Sequence, residues 1–169
     1  MRFLVYSNLF IATAAGLVTH QTYGLLGLEP RWSPVTGLVF SATLLVYNLD
    51  RLSDQSIEDQ VDASARHNWI ERHDWLLWGL TLLAGLGVAA SLFVAPTEVF
   101  LFTLPLGLIA LGYTLPIVPS NEGRRRLKDV AGLKIFLIVL VWIGASVLLP
   151  AVETLEDPLR MDVLIAALE

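Results

Sequence analysis

The chain contains no cysteine among its 169 residues. Disulfide bonds, thiol catalysis and cysteine-ligated metal sites are therefore excluded. Histidine is also scarce, with three scattered residues, so a metal site built from histidine is not expected. The sequence contains no low-complexity segment and no convincing internal repeat.

Charged residues are also few: Asp, Glu, Lys and Arg make up 16% of the chain, whereas about a quarter is usual for a soluble domain. Hydrophobic residues reach 55%, and the mean hydropathy is +0.65. The charges are clustered, which leaves apolar runs close to the roughly 20 residues that a helix needs to cross a bilayer. We therefore predict an integral membrane protein in contact with membrane lipids. The net charge of −5 argues against a nucleic-acid partner.

The first apolar run, from about Phe3 to Leu28, is too long for the core of a signal peptide and has no clear cleavage site, so we interpret it as a retained span. Five spans are predicted, followed by the beginning of a sixth helix at 161–169. They cover approximately residues 3–28, 35–52, 75–95, 99–118 and 130–152. Small residues at 12–16, 79–87 and 107–112 favour close packing of these helices. The predicted fold class is all-α, a multi-span transmembrane bundle that forms a single domain over 1–169.

Basic residues are distributed unequally about these spans. If successive spans cross the membrane in opposite directions, one side of the membrane carries nine Lys and Arg residues, and the other carries only Arg31 and Arg160. The nine are at positions 2, 51, 66, 72, 124, 125, 126, 128 and 134. Since Lys and Arg accumulate in cytoplasmic loops, we predict that the N-terminus and the polar segments 53–74 and 119–129 are cytoplasmic, in a bacterial or archaeal inner membrane.

An acidic pair, Asp50 and Asp54, lies at the end of the second apolar run. A spacing of four residues places both carboxylates on one face of a continuing helix, where like charges repel each other. Mg²⁺ bound by carboxylates and by substrate phosphates would offset that repulsion. Asp50 also interrupts an apolar run near membrane depth, where ionisable residues usually mark a functional site. The pair predicts a metal–diphosphate site, whereas a solvated helix end is the preferred interpretation for Glu58, Asp59 and Asp62.

Basic residues follow the fourth span, in the segment between Tyr113 and Lys134. Arginine forks and lysine ammonium groups bind phosphate oxygens, so this segment is a second predicted part of the site. Lys134 is the only basic residue inside the beginning of an apolar span. For Arg124 and Arg125 the alternative is a topology anchor that attracts anionic lipid headgroups.

Together these features resemble the UbiA superfamily of intramembrane prenyltransferases. The resemblance rests on the Asp50-Arg51-Leu52-Ser53-Asp54 segment after the second span, the Tyr113-Thr114-Leu115-Pro116 segment closing the fourth, and the basic run with Lys134 beyond it. Members of that family are all-helical bundles of about nine spans. They transfer an isoprenyl group from a diphosphate donor to an aromatic or other lipophilic acceptor.

The resemblance implies roles for particular residues. Asp50 and Asp54 would be catalytic and would hold Mg²⁺ that bridges the donor diphosphate. Lys134 and nearby arginines would neutralise the leaving group, and Tyr47 and Tyr113 would shield the allylic cation from water. The expected substrate contacts are Tyr47, Asn48, Arg51, Tyr113, Arg124, Lys128 and Lys134.

The chain departs from the family pattern in two ways. The family motif has Asn four residues and Asp three residues before the first of these acids, where this chain has Val46 and Tyr47. The chain also ends within the expected sixth helix, before a second Asp-rich motif. We therefore expect it to be the N-terminal part of a UbiA-like bundle, with half of the paired site.

Two other classes of function are open on the sequence. One is a non-catalytic membrane protein, a degenerate family member that binds lipid or assists assembly. The other is a small channel or transporter. Its only support in the sequence is the three polar residues Asn8, His20 and Gln21 in the first span. Hydrogen bonding between helices explains those three residues more simply.

Overall fold

The computed structural model describes residues 2–55, 73–115, 118–120, 123–129 and 132–154, without the side chains of residues 2, 53–55, 118–120, 123–125 and 129. The predicted sixth helix at 161–169 and the acids Glu58, Asp59 and Asp62 lie outside the described residues. Helices dominate the described part, in agreement with the predicted fold class.

The described helices are α1 (Arg2–Tyr6), α2 (Leu9–Leu25), α3 (Pro34–Gln55), α4 (Asp74–Val94), α5 (Thr97–Thr114) and α6 (Leu133–Thr154). Helix α6 contains a π-helical turn at Gly144–Leu148. Between α5 and α6 lie two antiparallel strands, β1 (Val118–Ser120) and β2 (Gly123–Arg125), followed by the 3₁₀ turn Leu127–Asp129. The all-α prediction did not include this short hairpin.

Three helices, α4, α5 and α6, are long and apolar enough to cross a membrane. The other two predicted spans correspond to α1–α2 and to α3. Helix α2 has only 17 residues because the chain breaks at Asn8, and α3 carries Asn48, Asp50, Arg51 and Asp54 in its last two turns. These three helices are consistent with a membrane protein, while a bundle of five spans stays a prediction.

Local sequence explains where several helices begin and end. Ser33 Oγ accepts a hydrogen bond from the backbone N–H of Thr36 at 3.2 Å, and Pro34 is the first residue of α3. A serine cap followed by proline is a strong signal for a helix start. Leu115 is extended, at φ −98° and ψ 142°, because it precedes Pro116. For this reason α5 ends four residues before the predicted end of the fourth span.

The first predicted span is broken at Asn8, which has φ 61° and ψ 7°. This left-handed conformation is unfavourable for most residues, but asparagine tolerates it. Asn8 is also buried, with 5% of its surface exposed. The break lets the chain change direction between α1 and α2.

Helix α3 organises the described core, since it packs against α2, α4, α5 and the end of α6. The main apolar cluster joins buried residues of α2, α3, α5 and α6: Ala15, Val35, Leu38, Val39, Val99, Leu149 and Val152. Glycine allows two close approaches to α3. A Cβ added at Gly16 of α2 would lie 3.4 Å from Phe40 Cβ, and one added at Gly87 of α4 would meet Ser41.

Candidate functional site

The acidic end of α3 meets the 3₁₀ turn that precedes α6. Lys128 Nζ donates to Asp50 Oδ1 at 2.6 Å, an ion pair between residues 78 positions apart in the chain. Both side chains are largely shielded from solvent, with 15% of Lys128 and 29% of Asp50 exposed. The contact joins a predicted metal ligand to a predicted phosphate contact.

Tyr47 and Asp54 are aligned with Asp50 along α3. Asp54 is in the last turn of the helix, and its side chain is outside the described part of the structure. Tyr47 is half-buried one turn before Asp50. Spacings of three and four residues bring side chains to one face of a helix, so these three residues form one stripe.

Asn48 and Arg51 take part in a different contact. Arg51 Nη1 donates to the backbone carbonyl of Tyr6, and Arg51 Nη2 donates to Asn8 Oδ1 at 3.1 Å. Asn8 Nδ2 in turn donates to Asn48 Oδ1 at 2.8 Å. These bonds fasten α3 to the break between α1 and α2. Residues two positions apart do not share a helix face, so Asn48 and Asp50 have separate surroundings.

The donors in this chain of hydrogen bonds determine how both amides are oriented. Arginine can only donate, so Asn8 presents Oδ1 to Arg51 and Nδ2 to Asn48. Asn48 therefore accepts through Oδ1, and its buried Nδ2 has no hydrogen-bond partner among the described residues. An unsatisfied buried donor costs about 1–3 kcal/mol, so an acceptor oxygen of water or of a ligand would be stabilised at that atom.

The remaining predicted contacts lie on separate elements. Tyr113 is half-buried near the end of α5, and Arg124 is in β2, opposite Pro119, with its side chain outside the described part. Lys134 is exposed in the first turn of α6 and forms no ion pair with the described residues. The structure therefore brings Lys128, rather than Lys134, to Asp50. Arg126, which the sequence did not single out individually, is buried at 8% exposure.

A second polar cluster lies at the other end of α3. The Tyr23 hydroxyl donates to Glu153 Oε2, and Arg31 Nη2 is 3.3 Å from the same oxygen. A phenol has one proton, so the hydrogen bond between Tyr23 and Ser33 has Ser33 as its donor. The cluster links α2, the start of α3 and the end of α6, and its groups satisfy one another. This cluster therefore stabilises the packing of these three elements. It was not predicted from the sequence.

An apolar groove of about 270 Å³ lies between α2 and α3. It is lined by Thr13, Gly16, Leu17, Trp32, Thr36, Gly37, Phe40 and Ser41. The nearest of these to Asp50 along α3 is Ser41, about 14 Å away at the helical rise of 1.5 Å per residue. The groove provides an apolar surface for a lipophilic chain.

The residues near Asp50 could bind Mg²⁺ only together with further ligands, such as phosphates and water. Carboxylate oxygens are the donors that Mg²⁺ prefers, and it is commonly held by one or two carboxylates with phosphates and water. The described residues contain no group of three or more His, Cys, Asp or Glu side chains that could hold a metal. Asp50, with Asp54 one turn later, therefore suits a metal shared with a phosphate ligand and does not form a closed metal cage.

No protein-family model, curated protein or solved structure matches this chain.

The sequence explained Asn8 by hydrogen bonding between helices, and in the structure its side chain does donate to Asn48 of α3. Two features of the site were not predicted, the left-handed backbone of Asn8 and the pairing of Lys128 with Asp50. No local feature of the sequence marks Lys128 as the partner of Asp50, because any of the basic residues after α5 could have formed this ion pair. Contacts of this kind depend on how the helices pack.

Proposed function

We propose that this protein binds an isoprenyl diphosphate together with Mg²⁺ at the Asp50 end of α3, as the donor half of a prenyl-transfer site. The observation that carries the proposal is the 2.6 Å ion pair between Asp50 and Lys128, whose exposed fractions are only 29% and 15%. A carboxylate suits a divalent cation, and an ammonium group suits a phosphate. The resemblance to UbiA prenyltransferases supports the class of substrate.

Each residue has a definite task in this proposal. Asp50 and Asp54 hold Mg²⁺, and Lys128 binds an oxygen of the diphosphate. The metal, when bound, neutralises the charge that develops on the diphosphate as its bond to the allylic carbon breaks. Lys128 adds a second positive charge at the same leaving group. Tyr47, on the same stripe of α3, limits access of water to the allylic carbon.

The apolar groove between α2 and α3 supports a lipophilic substrate. Its lining contains Leu17, Trp32 and Phe40, and it begins about 14 Å from Asp50 along α3. A long isoprenyl chain whose diphosphate is held near Asp50 would extend toward this groove. The acceptor in the proposed reaction is likewise a lipophilic or aromatic molecule, which takes the isoprenyl group at the allylic carbon.

Equilibrium binding of a radiolabelled isoprenyl diphosphate to the detergent-solubilised chain, with and without Mg²⁺, tests the proposal. Asp50→Asn keeps the shape of the side chain and removes its charge. We expect it to lower the affinity measured in Mg²⁺ by at least about tenfold, equivalent to about 1.4 kcal/mol. Asp74→Asn is the matched control, because Asp74 is exposed at the start of α4, and it should leave the affinity unchanged. Equal binding by wild type and Asp50→Asn would contradict the proposal.

A non-catalytic membrane protein is the second candidate function, and one observation favours it. Lys128 already compensates the charge of Asp50, so the pair is sufficient as a structural link between α3 and the 3₁₀ turn. This alternative predicts that Mg²⁺ has no effect on diphosphate binding and that Asp50→Asn lowers only the thermal stability. The same titration therefore separates the two functions.

A further inference from the structure

The apolar groove between α2 and α3 is open at the surface of the described structure. Of the residues that line it, Thr13, Leu17 and Trp32 are exposed. In the predicted arrangement α2 and α3 both cross the membrane, so this exposed lining faces lipid. An apolar cavity stays dry, and an empty one forfeits the dispersion contacts of its lining. A hydrocarbon chain of the bilayer is therefore the occupant that this environment offers.

The dimensions of the groove suit part of one such chain. Its volume is about 270 Å³, and its lining on α3 extends from Thr36 to Ser41, about 8 Å at the helical rise of 1.5 Å per residue. Gly16 and Gly37 carry no side chains, which lets a ligand approach the helix backbones closely. Phe40 adds an aromatic surface. The groove therefore has room for a segment of one acyl chain.

Trp32 lies at the end of the groove that is nearest to the connection between α2 and α3. Its ring stacks on His20 of α2, with ring centroids 4.5 Å apart and an angle of 18° between the planes. Although 73% of Trp32 is exposed, this stacking holds the indole beside the groove. Exposed tryptophans are enriched at the membrane–water interface. The headgroup of a lipid whose chain enters the groove would therefore lie beside this connection.

Two charged residues of the same connection are available to a headgroup. The Arg31 side chain is 52% exposed, and its Nη2 is 3.3 Å from Glu153 Oε2. A guanidinium carries five N–H donors, and the others of Arg31 have no hydrogen-bond partner among the described residues. Glu29, two positions earlier, is exposed and forms no ion pair with a described residue. A cation with spare donors and an exposed carboxylate thus precede Trp32.

These charges discriminate between classes of headgroup. Glu29, Arg31 and Glu153 together carry one positive and two negative formal charges, so a headgroup with a net negative charge is not favoured here. The zwitterionic headgroup of an aminophospholipid carries both a phosphate and an ammonium group. The phosphate complements Arg31, and the ammonium group complements Glu29.

We propose that the groove is a binding site for a zwitterionic aminophospholipid, with an acyl chain between α2 and α3, the phosphate on Arg31 and the ammonium group on Glu29. Neither Asp50 nor Mg²⁺ takes part in this site, so it goes beyond the proposed function. An isoprenyl chain that extended into the groove would displace the acyl chain.

Native mass spectrometry of the detergent-solubilised full chain tests this site, because it counts the lipids that stay bound. The probes are phosphatidylethanolamine and phosphatidylglycerol with identical acyl chains, and glycerophosphoethanolamine, which has the first headgroup and no chains. Thr13→Phe places a ring in the groove, and Val18→Phe is its control, because Val18 is exposed on α2 and does not line the groove. Glu29→Gln and Arg31→Gln remove the headgroup contacts, and Glu98→Gln is the charge control, exposed at the start of α5.

We expect wild type to retain phosphatidylethanolamine about two- to fivefold better than phosphatidylglycerol, the range for one exposed ion contact. Glu29→Gln should remove this preference, and Arg31→Gln should weaken both lipids by a similar factor. Thr13→Phe should lose both lipids, whereas Val18→Phe and Glu98→Gln should bind like wild type. Glycerophosphoethanolamine should not displace the intact lipid, because it has no chain to enter the groove.

Several results would overturn the lipid site. Equal retention of the two lipids by wild type, or a preference for phosphatidylglycerol, would contradict the assigned headgroup. Equal lipid binding by Thr13→Phe and Val18→Phe would show that the chain lies elsewhere. Displacement of the intact lipid by glycerophosphoethanolamine would show that the groove is not needed.

The test does not depend on any single variant. A thermal melt of each variant, with a midpoint close to that of wild type, shows that folded proteins are compared. Thr13 and Glu29 are exposed, so their variants still decide the outcome if Arg31→Gln unfolds through loss of its pair with Glu153. Binding of an isoprenyl diphosphate at Asp50 is measured separately, so the failure of one site leaves the other standing.

Discussion

Asn8 occupies an unusual position for a residue in an apolar segment. Its backbone is left-handed, with φ 61°, and its side chain both accepts from Arg51 and donates to Asn48. Asparagine is suited to both tasks, because it tolerates positive φ and carries a donor and an acceptor on one short side chain. Through this residue the break between α1 and α2 supports the end of α3.

Substitution of Asn8 separates its backbone role from its side-chain role. Asn8→Gly and Asn8→Ala both lose the hydrogen bonds to Arg51 and Asn48, but only alanine is strained at positive φ, by about 1–2 kcal/mol. We therefore expect the glycine variant to be the more stable of the two, by roughly 1 kcal/mol. Thermal or denaturant unfolding of the detergent-solubilised chain measures the difference.

Gln21 is the control for this prediction, because it is exposed in the interior of α2. Glycine is less favourable than alanine in the middle of a helix by about 1 kcal/mol. The order of stability should therefore reverse at this position, with Gln21→Ala above Gln21→Gly. If the alanine variant were more stable than the glycine variant at both positions, the left-handed conformation of Asn8 would not affect the stability of the protein.

At the scale of elements, α3 is held at both of its ends by polar contacts. Ser33, which accepts from the backbone N–H of Thr36, connects the start of α3 to Tyr23. Asn48 and Arg51 connect its last turns to Asn8. Between these contacts the helix packs through small residues and apolar side chains. The direction in which Asp50 projects is set by this combination, since a helix fastened at two ends has little freedom to rotate.

Two glycines of α4 differ in what surrounds them. A Cβ added at Gly87 would lie 3.1 Å from Ser41 Cβ of α3 and would also press on Ser41 Oγ, whereas a Cβ added at Gly85 would meet nothing within 4 Å. Small residues on α4 were predicted from the sequence to serve close packing. In the structure this applies to Gly87 and not to Gly85.

Substitution of these two glycines by alanine tests the contact between α3 and α4. Alanine at Gly87 should lower the stability by about 1–3 kcal/mol, the usual cost of overpacking. Alanine at Gly85 should be neutral or should raise the stability by up to about 1 kcal/mol, because alanine is the better helix former. Thermal midpoints of the two variants in one detergent give the comparison. A Gly87→Ala protein as stable as Gly85→Ala would show that α3 and α4 can separate at low cost.

At the scale of the whole molecule, the distribution of basic residues predicts an orientation in the membrane. Helices α4, α5 and α6 are apolar enough to span, whereas α3 ends in a polar stretch that includes Asp50, Arg51 and Asp54. The predicted arrangement requires α3 to cross as well. In that case the segment before α3 and the segment before α4 lie on opposite sides of the membrane.

The absence of cysteine makes this prediction simple to test. Glu29→Cys and Asp74→Cys each introduce a single thiol at an exposed position. In intact cells a membrane-impermeant maleimide should modify Glu29→Cys, and it should modify Asp74→Cys only after the membrane is permeabilised, since basic segments are retained in the cytoplasm. Modification of both thiols from the same side would show that α3 does not cross, and the five-span prediction would be wrong.

The approximate positions of the helices could be predicted because their signals are local. The ranges 35–52 and 75–95 agree with α3 and α4 to within three residues, since apolar runs, Ser33-Pro34 and Pro96 act on the neighbouring backbone. The first span was predicted as continuous because no local signal distinguishes Asn8 from a polar residue inside a helix. In the structure this left-handed residue is bonded to Arg51 and Asn48, contacts that arise only in the packed molecule.

The sequence by itself determined the class of the molecule, a helical and cysteine-free protein with helices long and apolar enough to cross a membrane, because composition and apolar run length depend on no distant contact. It also indicated that acidic residues at the end of α3 and basic residues in the segment after α5 carry opposite charges. Only the tertiary structure decided that Lys128 meets Asp50, that Lys134 is exposed, and that Asn48 and Arg51 turn toward Asn8. The physical reason is that an ion pair across 78 residues depends on the packing and rotation of whole helices, which no local stretch of sequence specifies.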